Sequence, residues 1–488
     1  MFSSEGGSLK LAFGSVALGG VCGALFVLLS VKSSPYLAVV LFVGIIVTAI
    51  LFRYPFLAFL SACAVIPMER LGRFTEDSSM YTFSLMRVIG ILALASLLLH
   101  LMMKNEKIRF GPPVYLYTIY WLLGLIAITH TTDLLGNVRA SGAILGNLLF
   151  LFLIINAVRD WKLARQSLYV WLTASTLIGM YAIFDWYFGQ SFAEGAIGVS
   201  DSRFSTVLSD TSEYESLDTV RRATGPTSHS AVFGMNLILT LPFFAYVWHR
   251  NKDVLIRAVV GISAAVTIYN IFLTNTRAVI ILTVVVMMML AWRKLIVVTT
   301  GRIMLLIFMG VMMLPFVPDA IYDRVLDPSN YSVEKSGTLR ARLQYWSAGL
   351  EIIQEEWLIG IGPGNQQEIP KRMVGDAPAE TTVHNEYLQT FIELGIIGWT
   401  IFFGFVLVIL RYSFKAAATF KDHPETQDQY WFLIAAQIAM ISVLIDGLQV
   451  DVFHFPLKGW WLIAGLVCAL YTMSKKIPPE SVSQGGRV

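Results

Sequence analysis

Three adjacent residues, His384, Asn385 and Glu386, stand where a long polar stretch gives way to an apolar run. A neutral imidazole can accept a proton near pH 7, and an amide or carboxylate beside it can orient it or hold a hydroxyl. If the apolar run is a helix, His384 sits at its N-terminus. The unpaired N–H groups there carry about half a positive charge, which disfavours imidazolium and leaves the ring as a base. The plain alternative is a histidine that caps the helix or meets solvent, and residue types alone leave both open.

A second set of residues is cationic. Arg277 lies in "TNTRAVIILTV", Arg340 and Arg342 in "LRARLQYWSAGLEIIQEEW", and Arg221 and Arg222 open "RRATGPTSHS". A planar guanidinium binds phosphate oxygens through two parallel hydrogen bonds, so several around one cavity would hold a pyrophosphate without a metal. Any one of them alone could equally reach a lipid headgroup or a nearby carboxylate. His130, Asp133 and Arg139 read as interfacial and His229 as a cap. Asp446, Asp451 and His454 flank a short turn, and an acid near the end of a membrane helix is a natural partner for an arginine. Walker A, HExxH and CxxC patterns are missing, and "GIGPGN" at 360–365 follows a helical pattern and reads as a turn.

The elements that must position these groups are apolar helices. Of 488 residues, 56% are hydrophobic and 14% charged, and the mean hydropathy is +0.65. Soluble domains carry about 25% charged residues. Apolar runs recur at 11–31, 36–52, 54–67, 83–103, 113–130, 142–157, 166–188, 229–249, 258–275, 278–292, 303–317, 388–411, 430–449 and 458–473. These lengths suit helices crossing a bilayer, so the expected fold is an all-α polytopic membrane protein with about 12–14 transmembrane helices. The run 54–67 is short and reads as re-entrant or tilted, and 11–31 as a retained first helix. Cys22, Cys63 and Cys468 all lie in apolar runs, which excludes a disulfide framework or a metal knuckle.

Basic residues set the expected orientation. Lys104, Lys107 and Arg109 share one side with Arg159, Lys162 and Arg165, with Arg250, Lys252 and Arg257, and with Arg411, Lys415 and Lys421. By the positive-inside rule that side is the cytoplasm, with both termini there. The polar stretches then fall outside. The expected divisions are N-terminal transmembrane helices over 1–188, a first outer loop over 189–228, central helices over 229–317, a large outer loop over 318–385, C-terminal helices over 386–473 and a cytoplasmic tail over 474–488. In the large loop Leu339, Leu343, Trp346, Leu350 and Ile353 recur at helical spacing, which predicts one apolar face and a folded cap.

With these residues in hand, the chain resembles the superfamily of bacterial O-antigen ligases and Wzy-type polysaccharide polymerases, most strongly over about 222–400. "RRATGPTSHSAVFGMNLIL" is similar to its Arg-x-x-Gly helix start, and "TNTRAVII" to its Thr-x-Ser-Arg start, with Thr276 in place of serine. "RARLQYWSAGLEIIQEEWLIGIGPGN" and "HNEYLQTFIELGIIGW" are similar to its Arg-x-x-x-Trp, Gly-x-Gly and His-Asn…Glu-x-Gly-x-x-Gly elements. The resemblance implies a GT-C-like, inner-membrane glycosyltransferase working at the periplasmic face without a cofactor or metal. It implies a polyprenyl (undecaprenyl) pyrophosphate-linked glycan donor and a glycan or lipid A–core acceptor. Further implied partners are membrane lipids and a polysaccharide chain-length regulator, with no nucleic acid. It implies that His384 is the base, assisted by Asn385 and Glu386, and that Arg222, Arg277 and Arg342 clamp the pyrophosphate. "RARLQYW" offers two registers, so Arg340 stands beside Arg342, and Arg221 beside Arg222. A polymerase is the leading expectation, and an O-antigen ligase the runner-up. A protein O-glycosylation ligase and a lipid-linked oligosaccharide flippase are the remaining rivals.

Overall fold

A computed structural model describes residues 35–68, 85–188, 230–297, 337–365, 367–373, 382–451 and 457–477, with positions 223, 225, 227, 299, 304 and 453. Among the described residues the regular elements are thirteen α-helices and short 3-10 turns. They are α1 (Pro35–Arg53), α2 (Pro55–Ala64), α3 (Leu85–Met103), α4 (Pro112–Ile126), α5 (Leu134–Ala157), α6 (Trp161–Phe188) and α7 (Ser230–Arg250). There follow α8 (Val254–Leu273), α9 (Arg277–Trp292), α10 (Gly337–Glu355), α11 (Glu386–Lys421), α12 (Gln427–Asp446) and α13 (Lys458–Ser474). A helix satisfies its own backbone, the requirement lipid imposes, and the starts obey ordinary chemistry. Pro55 and Pro112 open helices at positions where a missing N–H costs nothing. Asp133 and Asp253 cap α5 and α8, accepting from Gly136 N at 2.8 Å and from Leu255 N at 2.8 Å.

The all-α polytopic expectation holds. Eight helices among the described residues are long and apolar enough to cross a membrane, or up to nine if a bent pair is one span. That pair is the expected runs 36–52 and 54–67. Val43–Arg53 and Pro55–Ala64 meet at 118°, because Pro55 pushes Tyr54 out of the helical region and restarts the chain in a new direction. The run 278–292 is the shorter apolar helix α9. The run 11–31 and, save position 304, the run 303–317 lie outside the described residues.

Helix α7 is the most enclosed span. Helix α11 packs on α4, α12 and α13, and α13 packs on α5. Where α4, α11 and α13 meet, Tyr117, Tyr120, Phe402, Phe405, Trp460 and Trp461 form one aromatic cluster. Met102, Met103, Leu255, Trp292 and Leu407 point outward on the spans, an apolar exterior that belongs in lipid. At the end of the bundle away from His384, Asp428 of α12 accepts from Trp161, Tyr246 and Arg250, tying α6, α7 and α12 together.

Helix α11 is broken near its head. Leu394 (φ −130°, ψ 16°) and Gly395 (φ 58°, ψ −167°) leave helical geometry, which strands backbone groups on both sides. The segment after α10 fills the gap. Ile361 N–H donates to Ile392 O at 3.0 Å and Gly362 N–H to Glu393 O at 2.8 Å, while Ile396 N–H donates to Trp357 O at 2.9 Å. Beyond it, Asn365 Oδ1 accepts from Asp133 N at 2.9 Å, and Glu368 accepts from Thr132 Oγ1 at 2.8 Å, which fastens the loop to the head of α5. The folded cap expected after residue 318 therefore exists over its described part.

The buried face of α10 is shifted from the expected stripe. Ala348, Gly349 and Ile352 pack against Val383 and Ile392, whereas Leu343 and Leu350 remain exposed. Small residues allow the close helix approach, so they form the contact and the larger side chains line its edge. The side chain of Leu339 lies outside the described residues.

A Cβ at Gly395 would lie 2.3 Å from the Leu358 carbonyl, at a φ unfavourable to any other residue. Gly395→Ala is therefore expected to destabilise the protein by more than about 2 kcal/mol, read as a lower unfolding temperature in detergent. Gly404→Ala on the same helix has open space and should be neutral or stabilising.

Candidate functional site

The site is built on two helix heads, each preceded by a residue in the left-handed region. Asn275 (φ 47°) ends α8 and turns the chain so that Thr276 caps α9 and Arg277 is its first residue. His384 (φ 50°) does the same for α11, where Asn385 is the cap and accepts from Leu388 N at 3.1 Å. Histidine rarely adopts this backbone, and such strain persists only where the surroundings enforce it.

The surroundings of His384 do so from both sides. Before it, Trp346 Nε1 donates to Val383 O at 2.9 Å, and Val383 N–H donates to Gln389 Oε1 at 3.2 Å. After it, Asn385 N–H donates to Asp451 Oδ1 at 2.8 Å and its side chain donates to Leu448 O at 3.1 Å. Glu386 N–H donates to Gly447 O at 2.8 Å. The head of α11 is thus stitched to the turn that follows α12. Two of its first N–H groups are satisfied internally, so the helix end acts on the site through its dipole rather than through free donors at Glu386 and Leu388.

His384 stays partly open to solvent, its side chain 38% exposed. Its Nδ1 lies 3.9 Å from Asp451 Oδ2, within ion-pair reach but beyond a hydrogen bond. Asp451 is fully buried. On the other flank the Tyr345 ring centroid is 5.9 Å from the imidazole, at 50°.

Arg342 comes to the same place from α10. Burial draws its guanidinium below the ordinary arginine value, Asp446 and Asp451 push it back up, and Arg277 pulls it down again. Asp446, Asp451 and Arg277 thus lie within electrostatic range of Arg342, and Asp451 also faces the His384 ring; a guanidinium stays protonated through shifts of this kind. Among the described residues the Nε of Arg342 is buried without a hydrogen-bond partner. Arg340 lies about 200° away around the same helix and is exposed.

Of the residues singled out in the sequence, His384, Asn385, Arg277 and Arg342 are brought together. Glu386 turns inward: it is 1% exposed, and its two oxygens accept from Thr390 Oγ1 at 3.0 Å and from Phe453 N at 2.9 Å. That geometry makes it a tether for the turn carrying Asp451. Arg221, Arg222, His229 and His454 lie outside the described residues. Asp133 caps α5, and His130 is exposed at its approach. Tyr345 and the hold of Asp451 on Asn385 were not readable in advance. The first has no motif, and the second joins positions 66 apart in sequence.

Removing the Glu386 carboxylate leaves the Phe453 N–H and the Thr390 hydroxyl without an acceptor. Glu386→Ala is expected to cost about 1–3 kcal/mol of stability, and Glu386→Gln, which keeps one acceptor, distinctly less. Thermal unfolding of the purified protein reads both.

Residues 262–403 match the family model described as O-Antigen ligase, a segment that runs from within α8 to within α11 and contains Arg277, Arg342 and His384. Among curated proteins none matches the chain. The polytopic helical fold and the matched segment together support the resemblance drawn from its motifs, to the superfamily of O-antigen ligases and Wzy-type polymerases of polysaccharide biosynthesis.

Proposed function

We propose that the protein is a glycosyltransferase that moves a glycan from a polyprenyl pyrophosphate to an acceptor sugar hydroxyl, at the outer face of a bacterial inner membrane. The observation that carries this reading is the approach of His384 to Asp451, with Asp451 and Arg277 both within electrostatic range of Arg342. A base and fixed cations at one place suit a reaction that removes a proton at one end and releases a diphosphate at the other.

The chemistry follows from charge. The acceptor hydroxyl gives its proton to His384 as its oxygen attacks the anomeric carbon. The bond from that carbon to the pyrophosphate breaks, and the leaving oxygen keeps the electron pair. Negative charge grows on the diphosphate, so Arg277 and Arg342 are worth most in the transition state. The unpartnered Nε of Arg342 is a donor ready for such an oxygen. Asp451 stabilises the imidazolium that forms and, through the Asn385 N–H, holds the strained turn that aims the ring. Attack opposite the leaving group inverts the anomeric centre, and the residues named do the work without a metal. Arg221 and Arg222 are proposed to complete the clamp from the first outer loop, over 189–228, with Arg340 as an outer guide to the diphosphate.

Positive charge on the side of Lys104, Arg159, Arg250 and Lys415 supports a topology with both termini in the cytoplasm and the 318–385 cap in the periplasm. The leading version joins repeat units as a polymerase. The second version transfers finished polymer to lipid A–core, and the matched family model is compatible with both.

His384→Ala is expected to lower turnover on the order of 10²–10⁴-fold and Arg277→Ala or Arg342→Ala about 10²-fold, at unchanged membrane abundance. Near-normal turnover in all three would sink the reading. Deleting the gene separates the versions on a glycolipid gel. Loss of long chains with single units still transferred identifies a polymerase, and polymer stranded on its carrier identifies a ligase. If neither pattern changes, the reading fails, and transport or protein glycosylation takes its place.

A further inference from the structure

At the end of the bundle away from His384, the tails of α11 and α13 meet through two tyrosines. The rings of Tyr412 and Tyr471 stack with centroids 3.8 Å apart, at 21°. Lys475 Nζ lies 4.5 Å from the centroid of the Tyr471 ring. Arg411 and Lys415 flank Tyr412 on α11, and both are exposed, as is Lys475. Three cations therefore surround one aromatic step. The nearest acid along α11 is its cap Asp422, seven residues beyond Lys415 and about 10 Å further along the axis.

The other arginines at this end find partners within the chain. Arg159 pairs with Glu106 at 2.9 Å and Arg250 with Asp428 at 3.0 Å, and Arg165 reaches Asp428 at 3.7 Å. Arg109, Arg257 and Arg293 donate to Val158 O, Asn251 O and Gln437 Oε1. Among the described residues, Arg411 has no acceptor and no ring facing it.

The depth of Arg411 makes this an unfavourable place for a lone charge. A helix crosses a hydrocarbon core of about 30 Å in about twenty residues. Counting from the break at Gly395, beside which Trp357, Leu358 and Ile359 are exposed as at an interface, the twentieth residue is Lys415. Arg411 then starts about 6 Å inside the core. It shares a helix face with Leu407, 64% exposed, and Phe414, 48% exposed, so that face is turned to acyl chains. A charge in that position reaches for the boundary and needs a counter-charge there. Among the described residues the chain supplies none, and the group that lies at that level outside it is a lipid phosphate.

We propose that Arg411, Lys415 and Lys475 hold the headgroup of an anionic phospholipid, one of whose acyl chains runs along Leu407. On the topology proposed above, that lipid belongs to the cytoplasmic leaflet. The stacked tyrosines fix the spacing of the two helix tails, so the cations they carry act as one site. A zwitterionic lipid would bring its own ammonium group into a patch that already holds three cations, which selects a headgroup of net negative charge. The bound lipid bridges α11 to α13.

The test uses the purified full chain, exposed in detergent to equal amounts of phosphatidylglycerol and phosphatidylethanolamine with the same acyl chains, and reads retained lipid by native mass spectrometry. Phosphatidylglycerol is expected to be retained at least about fivefold better. The triple variant Arg411→Gln, Lys415→Gln, Lys475→Gln should lose that preference. The triple variant Lys104→Gln, Lys107→Gln, Lys162→Gln removes equal charge from exposed positions at the same end and should keep it. Both should unfold at the temperature of the unaltered protein in lipid-free detergent. Independently of any variant, a photoreactive phosphatidylglycerol in nanodiscs should label the peptides containing 407–415 and 471–476 of the unaltered chain. Equal retention of the two lipids, equal loss of preference in the two triple variants, or label confined to other peptides would overturn the proposal.

Discussion

Everything at the His384 end depends on how backbone polar groups are satisfied where α11 is broken. Four of the groups stranded around Leu394 and Gly395 would each be costly in an apolar setting. The chain answers with a segment from far earlier in the sequence, which donates from Ile361 and Gly362 and accepts at Trp357 and Leu358. The break is therefore a joint: it lets the outer turns of α11 take a direction that a continuous helix could not, and it binds that piece to α10. Since Arg342 rides on α10 and His384 stands just before α11, the same joint helps set the spacing of the two side chains.

Polar groups near His384 are economical in the same sense. Asp451 is fully buried yet serves the Asn385 N–H, the imidazole and the field at Arg342 together. Glu386 serves the turn that carries Asp451. Buried carboxylates in a membrane bundle are tolerated where such partners converge, which is why they collect at this end. The His384 ring keeps a solvent-facing side, while the Arg342 Nε is buried without a hydrogen-bond partner among the described residues.

Much of the architecture was legible as hydropathy. Each apolar run within the described residues is a helix, and the helix heads at Arg277 and Glu386 stand where residue types put them. Three features were not. The bend at Pro55 turns two apparent spans into one bent pair, and apolar length alone cannot see a direction change. The break at Gly395 looks like a tolerated glycine in an apolar run, because its cause is a hydrogen-bonding partner more than thirty positions earlier. The buried face of α10 rests on Ala348 and Gly349, which a search for large apolar residues undervalues although they alone allow close approach. At the candidate site, the position of His384, Asn385 and Arg277 at helix starts was readable from residue types. The inward direction of Arg342 and the exposure of Arg340 were not, since both lie on one helix two residues apart.

The joint in α11 also orders events during synthesis. From Ile396 to Lys421 the helix pairs its own backbone except at its first turn, where the Ile396 and Ile397 N–H groups are met by Trp357 O and Leu358 O. The turns from Glu386 to Leu394 have no finished backbone pairing until Trp357–Gly362 is folded against them. Maturation of the outer end therefore waits on translocation of a preceding loop. A chain in which that segment has not yet folded would keep the helix from Ile396 to Lys421 and lack the paired head that runs from Glu386 to Leu394.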